Sequence, residues 1–335
     1  MSAPVKVSVL MTLYNKAPFV EEAVASILGQ RYTDLELLLV DDASTDDGVE
    51  RVRRLNDPRI RIITSPVNTG RAAAANRGYA AARGEYLVIL DADDIAHPER
   101  IFKQVDFMES HPQVGVCGTY ARRFGKVDRI STWPLTDVRC RGLMFFTDPV
   151  LYGSTIMRRS VLVGAGIRSD EQWKLPGEDF LLAHQIGKHT RFANLPEVLL
   201  HYRIGEQNQR HGRDVYADKR AICSRLFQLY DISLSDEELD LHLLFYLLTR
   251  QRITGARVRA FHKWTQHLME LNKERGLFPP AEFEEEVTRR WNRLYYLLPE
   301  HGTAATWAHL RCTGNWTLGK LVYYAKVRAK ALLGP

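Results

Sequence analysis

Asp91-Ala92-Asp93-Asp94 places three carboxylates within four residues, directly after the apolar run Leu87-Val88-Ile89-Leu90. Hard divalent cations take oxygen ligands, and Mg2+ binds through one or two carboxylates together with phosphate oxygens. Mn2+ accepts the same donors. Standing alone, such a cluster reads equally as a solvated turn or a cap for the next segment. A second acidic loop, Asp41-Asp42-Ala43-Ser44, ends another apolar run at 35–40. A carboxylate there can accept from a base N–H or a sugar hydroxyl, while Ser44 to Asp47 would serve as helix caps. A third acidic pair, Glu178-Asp179, lies far from both in sequence. A carboxylate set apart from a cation can take the proton of an attacking hydroxyl, which is worth roughly 10²–10⁴-fold in rate. The plainer reading of that pair is a helix first turn, where the dipole favours acids.

These loops need elements to position them. Apolar runs at 7–12, 35–40, 60–64 and 86–90 predict buried strands, and 18–28, 48–55 and the Ala-rich 69–83 predict helices. Alternation of this kind implies an α/β fold with a mainly parallel, Rossmann-like sheet covered on both faces. Ligands of open α/β sheets bind beyond the carboxyl ends of the strands, where both acidic loops fall. Two acidic clusters on one rim repel each other, and a bound cation relieves that cost. From 95 to 205 the pattern is mixed, with helices expected over 98–109 and 178–186, strands over 114–120 and 154–157, and a turn at Gly164-Ala165-Gly166. That turn offers GxG but no third glycine, so no dinucleotide fingerprint is read there. Ser235-Asp236-Glu237-Glu238 is a capping box before a helix expected to reach about 249. Further helices are expected over 255–275, 280–297 and 303–311. The loss of strand signal divides the chain into an α/β domain over 1–210 and a helical domain over 211–335.

At 45% hydrophobic and 26% charged the composition is that of a globular protein with a sizeable core. No apolar run reaches the ~18 residues of a membrane-spanning helix, and the start of the chain lacks the pattern of a secretory signal. A cytoplasmic protein is the expectation. Cys117, Cys140, Cys223 and Cys312 are scattered without a CxxC pair, which argues against a zinc site and a disulfide framework. The net charge of +6 meets no nucleic-acid motif. Part of the excess sits at 311–335, where Arg311, Lys320, Lys326, Arg328 and Lys330 occur with no acid. Residues 318–333 form a basic amphipathic helix that can lie on the inner face of an anionic membrane or pack on its own protein. An oligomer contact is a further use for this region.

The succession VSVLMTLYNKAPFVEEAVASILGQRYTDLELLLVDDASTDD, NTGRAAAANRGYAAARGEYLVILDADD and GEDFLLA resembles the family 2 glycosyltransferases over about 5–205. The resemblance implies a GT-A fold, a nucleoside-diphosphate sugar donor with uridine as the default base, Mn2+ or Mg2+, and inversion at the anomeric carbon. It implies that Thr12, Tyr14 and Asn15 hold the nucleoside, that Asp42 takes the base edge with help from Asp41, and that Glu21 lies beside them. Asn68, Arg71, Asn76, Asp91 and Ala92 are carried over to the nucleotide-sugar side. Asp93 becomes the main metal ligand with Asp91 and Asp94 close behind, and Asp179, next to Glu178, the base. Where the family often has Arg before the helix Asn, this chain has Ala75. Arg71 lies four residues earlier, on the same helical face, and is the candidate substitute cation. Arg203 suits a diphosphate because guanidinium matches phosphate geometry. His201 reads as a structural residue, a metal ligand or a phosphate contact. Tyr152-Gly153-Ser154-Thr155 resembles the family's acceptor-side strand. The expected acceptor is a saccharide or lipid-linked saccharide of surface-polysaccharide assembly. A sugar-1-phosphate nucleotidyltransferase and an inactive scaffold of the same shape are the alternatives. The first would need a Gly-rich basic loop where TLYNKAPF stands, and intact Asp93 and Asp179 argue against the second.

Overall fold

The apolar runs at the start of the chain form strands β1 (Val7–Leu13) and β2 (Leu35–Asp41), almost wholly buried. Helix α1 (Ala17–Leu28) joins them and sinks Val20, Ala23, Val24 and Ile27 into the same core. Then come α2 (Gly48–Arg54), β3 (Ile60–Thr64), α3 (Arg71–Ala81) and β4 (Tyr86–Ile89). The structure, a computed structural model, describes residues 5–206, 211–314 and 316–333. The chain divides into two compact units, Met1–Gly212 and Arg213–Pro335.

In the first unit the strands continue as β5 (Ile95–Ala96), β6 (Val114–Gly125), β7 (Arg129–Ser131), β8 (Ile156–Arg158) and β9 (Arg191–Ile204). The helices between them are α4 (Arg100–Ser110), α5 (Asp137–Met144), α6 (Arg159–Gly164) and α7 (Glu178–Gly187). Among the described residues they build one nine-stranded sheet in the order β3-β2-β1-β4-β8-β6-β9-β5, with β7 on β6. The sheet is mixed, not mainly parallel. Pairs β3-β2, β2-β1 and β1-β4 are parallel, β4-β8, β8-β6 and β9-β5 antiparallel, and β6-β9 parallel again. Connectivity permits this: α1, α2 and α3 join β1 to β4 as the crossovers that parallel neighbours need, and α6 and α7 lie in the long connection that brings β9 parallel to β6.

Helix α3 is Ala-rich because it lies almost on the sheet. Ala72 to Ala75 are buried, and a Cβ on Gly78 would stand 2.1 Å from Leu10 Cδ1. The expected turn at 164–166 is present and ends α6: Gly164 is the last helical residue, Ala165 caps it and Gly166 takes a left-handed φ of 61°.

The second unit holds α8 (Val215–Leu229), α9 (Asp236–His242), α10 (Gly255–Arg275), α11 (Pro280–Leu294), α12 (Leu298–His301), α13 (Thr303–Thr313) and α14 (Leu318–Leu333). The Ser235–Glu238 capping box is present in both directions. The helix it starts stops at His242, however, and tightens into a 3-10 turn over Leu243–Tyr246 that ends on left-handed Leu247. All four cysteines are free thiols.

Candidate active site

Two strands end at the site. Beyond β1 the chain turns through Asn15, whose φ of 50° is left-handed, and beyond β4 it enters Asp91–Asp94. Asn15 Oδ1 accepts from the Thr45 amide at 2.8 Å, and the Asn15 amide donates to Ser44 Oγ at 3.1 Å. Asn15 therefore ties the β1 loop to the β2 loop. Tyr14 next to it is 47% exposed.

The acids of the β4 loop are crowded and mostly dry. Asp93 Oδ2 receives Lys16 Nζ at 2.7 Å. Asp94 is buried; its Oδ1 accepts the Arg203 amide at 2.8 Å, while its Oδ2 has no hydrogen-bond partner. Burial, then the Asp91 and Asp93 charges, push the Asp94 carboxyl well above the usual range. Asp91 is also raised by burial, with Arg71 opposing and Asp93 and Asp179 adding to the shift. Gly153 lets backbone approach both acids: a Cβ there would be 3.5 Å from Asp91 Oδ2 and 3.6 Å from Asp94 Oδ2. Underneath, fully buried Arg100 donates to the Ile89 carbonyl at 2.8 Å and the Thr155 carbonyl at 3.3 Å. Burial lowers it to about 10 against the pull of Asp94 and Asp91, so it stays charged at neutral pH.

Arg71 joins this cluster to the third acidic pair. Its Nη2 is 3.3 Å from Asp91 Oδ1 and its Nε 3.2 Å from Glu178 Oε1, the latter an ionic contact too misaligned for a hydrogen bond. Burial alone would lower Arg71, yet Asp91, Glu178 and Asp179 hold it well above its ordinary value. Glu178 is raised, first by burial, with Arg71 opposing and Asp179 reinforcing. Asp179 Oδ1 accepts the Phe180 amide at 2.9 Å. Thr12, Arg71, Asp91, Glu178 and Asp179 line one cavity beyond the ends of β1 and β4. Ala75 and Tyr152 line it too, so position 75 does share the Arg71 face.

Other expected residues do not meet there. Asp42 is buried and saturated: it takes the Thr69 amide and hydroxyl, the Gly70 amide at 2.7 Å and Arg77 Nη2 at 2.7 Å. Burial would raise it, but these bonds outweigh burial and hold it below the usual carboxylate range. It braces the turn into α3, and a base edge would have to displace one of those donors. Asp41 caps its own loop through the Ser44 amide at 3.1 Å. Glu21 faces solvent and pairs with Arg51 at 3.2 Å, drawn outward by the basic face of α2. Asn76 clasps another segment, accepting the Ser169 amide and donating to the Ser169 carbonyl, each at 2.9 Å. Ala92 is buried and Asn68 exposed. Arg203 is committed as a prop: Nε donates to the Asp93 carbonyl at 2.8 Å, and its guanidinium lies between the rings of Phe19 and Phe124. His201 pairs through its backbone with Ile95, and its ring sits edge-on to Phe124.

Lys16, Arg77 and Arg100 were not picked out from sequence. Each is a lone cation near a motif, and only the tertiary partner reveals its use. Among the described residues no three His, Cys, Asp or Glu side chains converge as a complete metal cage. The oxygen donors present, with Asp94 Oδ2 unpartnered, fit a hard cation that takes its remaining ligands from a diphosphate.

Residues 8–163 match the model of Glycosyl transferase family 2. EpsE of Bacillus subtilis (strain 168), named as a glycosyltransferase, is 35% identical over 212 residues, 62% of this chain and 76% of EpsE. The chain belongs to glycosyl transferase family 2. It is also 28% identical to the amylovoran biosynthesis glycosyltransferase AmsE of Erwinia amylovora, over 76% of this chain and 96% of AmsE. Two uncharacterised glycosyltransferases of Haemophilus influenzae are 30% and 36% identical, and the alignments span 65% and 47% of their own lengths. Among solved structures, S. aureus TarS in complex with UDP-GlcNAc superposes with a TM-score of 0.59 at 18% identity, covering 98% of this chain and 92% of that one. The mannosyltransferase PcManGT of Pyrobaculum calidifontis, in complex with GDP-Man and Mn2+, gives 0.54 at 20% identity, over 99% and 81%. At these identities the likeness establishes the GT-A fold of the family 2 glycosyltransferase.

Proposed function

We propose that the chain moves a sugar from a nucleoside-diphosphate donor, UDP-linked by default, to a hydroxyl of a saccharide or lipid-linked saccharide, inverting the anomeric carbon. The observation that carries this reading is the single cavity lined by Asp91 and Asp179, with Arg71 in contact with Asp91 and with the Glu178 beside Asp179. The nucleotide sugars in the TarS and PcManGT structures support the donor class, and the name of AmsE supports a place in polysaccharide assembly. On this reading 1–210 binds the donor and carries the chemistry, and 211–335 is an accessory helical region.

Asp93, with Asp91 and Asp94, would hold Mn2+ or Mg2+, which as a Lewis acid stabilises the charge of the leaving diphosphate. Asp179 takes the acceptor proton through the carboxylate oxygen that does not receive the Phe180 amide. It stands on α7, a different element from the β4 loop, and on this reading the hydroxyl it activates approaches the sugar from the side opposite the diphosphate. Arg71 stays protonated and contributes a fixed positive charge between the two acid groups. Thr12 and the Tyr14 ring lie on the β1 side, where they would flank the nucleoside.

The test is a panel of UDP- and GDP-sugars incubated with saccharide acceptors and Mn2+, reading released nucleoside diphosphate and the anomeric configuration of the product by NMR. Release that a chelator abolishes, with an inverted product, is expected. Pyrophosphate chemistry, or retention of configuration, would overturn the proposal.

A further inference from the structure

Helix α14 presents its apolar residues the wrong way for a helix that only packs on its own protein. At 100° per residue, Leu318, Leu321, Val322, Ala325 and Ala329 fall on one face, and all five are exposed; Leu318 is 78% exposed and Val322 44%. Lys326 and Arg328 flank this stripe on its two sides. The opposite face is the one that docks on the second unit. Lys320 is buried there, its backbone carbonyl accepting Tyr295 Oη at 2.7 Å and its ammonium over the Tyr295 ring. Tyr323 Oη donates to the Tyr296 carbonyl at 2.9 Å, and Tyr324 Oη meets Thr303 Oγ1 at 2.9 Å. The sequence alone would put Lys320 on the wet basic face, and the structure reverses that. Trp316, 46% exposed, stands at the start of the helix against Trp307.

An apolar stripe turned to water, flanked by cations and led by an exposed Trp, matches a surface that lies in a membrane interface. Residues 311–335 carry five cations and no acid, so the complementary surface is anionic. Among the described residues no helix is long and apolar enough to cross a membrane, which leaves lying on the surface as the mode. We propose that α14 docks this protein on anionic phospholipid through Trp316, Leu318, Leu321 and Val322, with Lys326 and Arg328 over the headgroups. This stands on α14 alone and is independent of the donor, metal and base assignments.

The full chain is co-sedimented with phosphatidylcholine vesicles and with vesicles of phosphatidylcholine and phosphatidylglycerol in equal parts. Binding is expected on the mixed vesicles only, falling at high salt. Leu318→Glu with Val322→Glu should abolish it. Lys326→Glu with Arg328→Glu should weaken it at least about tenfold, since each basic residue near an anionic surface contributes several-fold. Leu318, Val322 and Lys326 are exposed and Arg328 is half-buried, and circular dichroism and the thermal transition should be unchanged. Equal binding to both vesicle types, or none to either by the folded chain, would overturn the proposal. So would a concentration-dependent dimer in light scattering that the Leu318→Glu, Val322→Glu variant dissolves, because the face would then belong to a second copy.

Discussion

Asp179, in the first turn of α7, and Asp42, directly after β2, are both acids at the end of an element, yet their surroundings differ. Asp179 spends one oxygen on the amide of its own neighbour and lines the cavity. Asp179→Asn should therefore leave the thermal transition unchanged while lowering turnover by roughly 10²–10⁴-fold, the usual worth of a positioned base; normal turnover in initial-rate assays would remove it from the mechanism. Asp42 has no such freedom, because Thr69, Gly70 and Arg77 already occupy it. The acidic clusters and the Glu178-Asp179 pair are legible in sequence because three carboxylates within four residues, or two after a glycine, are visible locally. The engagements of Asp42 and Asn76 are not, since their partners lie 27 to 93 residues away and are chosen by loop packing. Arg100 was invisible for the same reason. Arg100→Met should destabilise the first unit by about 3 kcal/mol or more, because it leaves the Ile89 and Thr155 carbonyls without their donor and removes a buried positive charge beneath Asp94 and Asp91; urea unfolding measures it.

Elements that alternate regularly were readable, and irregular ones were not. The strands up to β4 stand within one residue of expectation because each is a short apolar run between helical patterns. Strand β9 escapes that reading: its fourteen residues include Pro196, and its pairing with β6 shifts register three times, between Val114 and Val116, Thr119 and Tyr120, and Tyr120 and Ala121, so no clean period of two survives. The capping box predicted where α9 begins but not where it stops, since nothing local announces left-handed Leu247. Helix α3 gives a test of element packing. Alanine at position 78 ought to favour the helix, since glycine costs about 1 kcal/mol there. The added methyl would instead overlap the buried Leu10 side chain, and a net loss of about 1–3 kcal/mol is expected. Leu10→Ala should cost less in the Gly78→Ala background than alone. Additive losses in the double-mutant cycle would show that the contact does not limit the packing.

The molecule has two compact units, and acid should distinguish them. In Arg213–Pro335, His242 is lowered to about 3 and His309 to about 4, burial being the first cause for both. A depressed histidine is neutral when folded and protonated when unfolded below about pH 6.5. Its contribution is therefore complete above that value and is lost as pH falls toward the folded-state value. Two such groups remove up to about 2.7 kcal/mol per pH unit from the second unit between about pH 6 and 5. Calorimetry across that range should show its transition falling steeply, and His309→Gln should flatten the slope; an unchanged slope would mean His309 titrates normally. Arg100 has a consequence of another kind. It grips the Ile89 carbonyl at the end of β4 and the Thr155 carbonyl just before β8, at the place where the sheet changes from parallel to antiparallel. The acids above it thus inherit a counter-charge from the chain itself, and the crowded rim is tied at its base to two neighbouring strands.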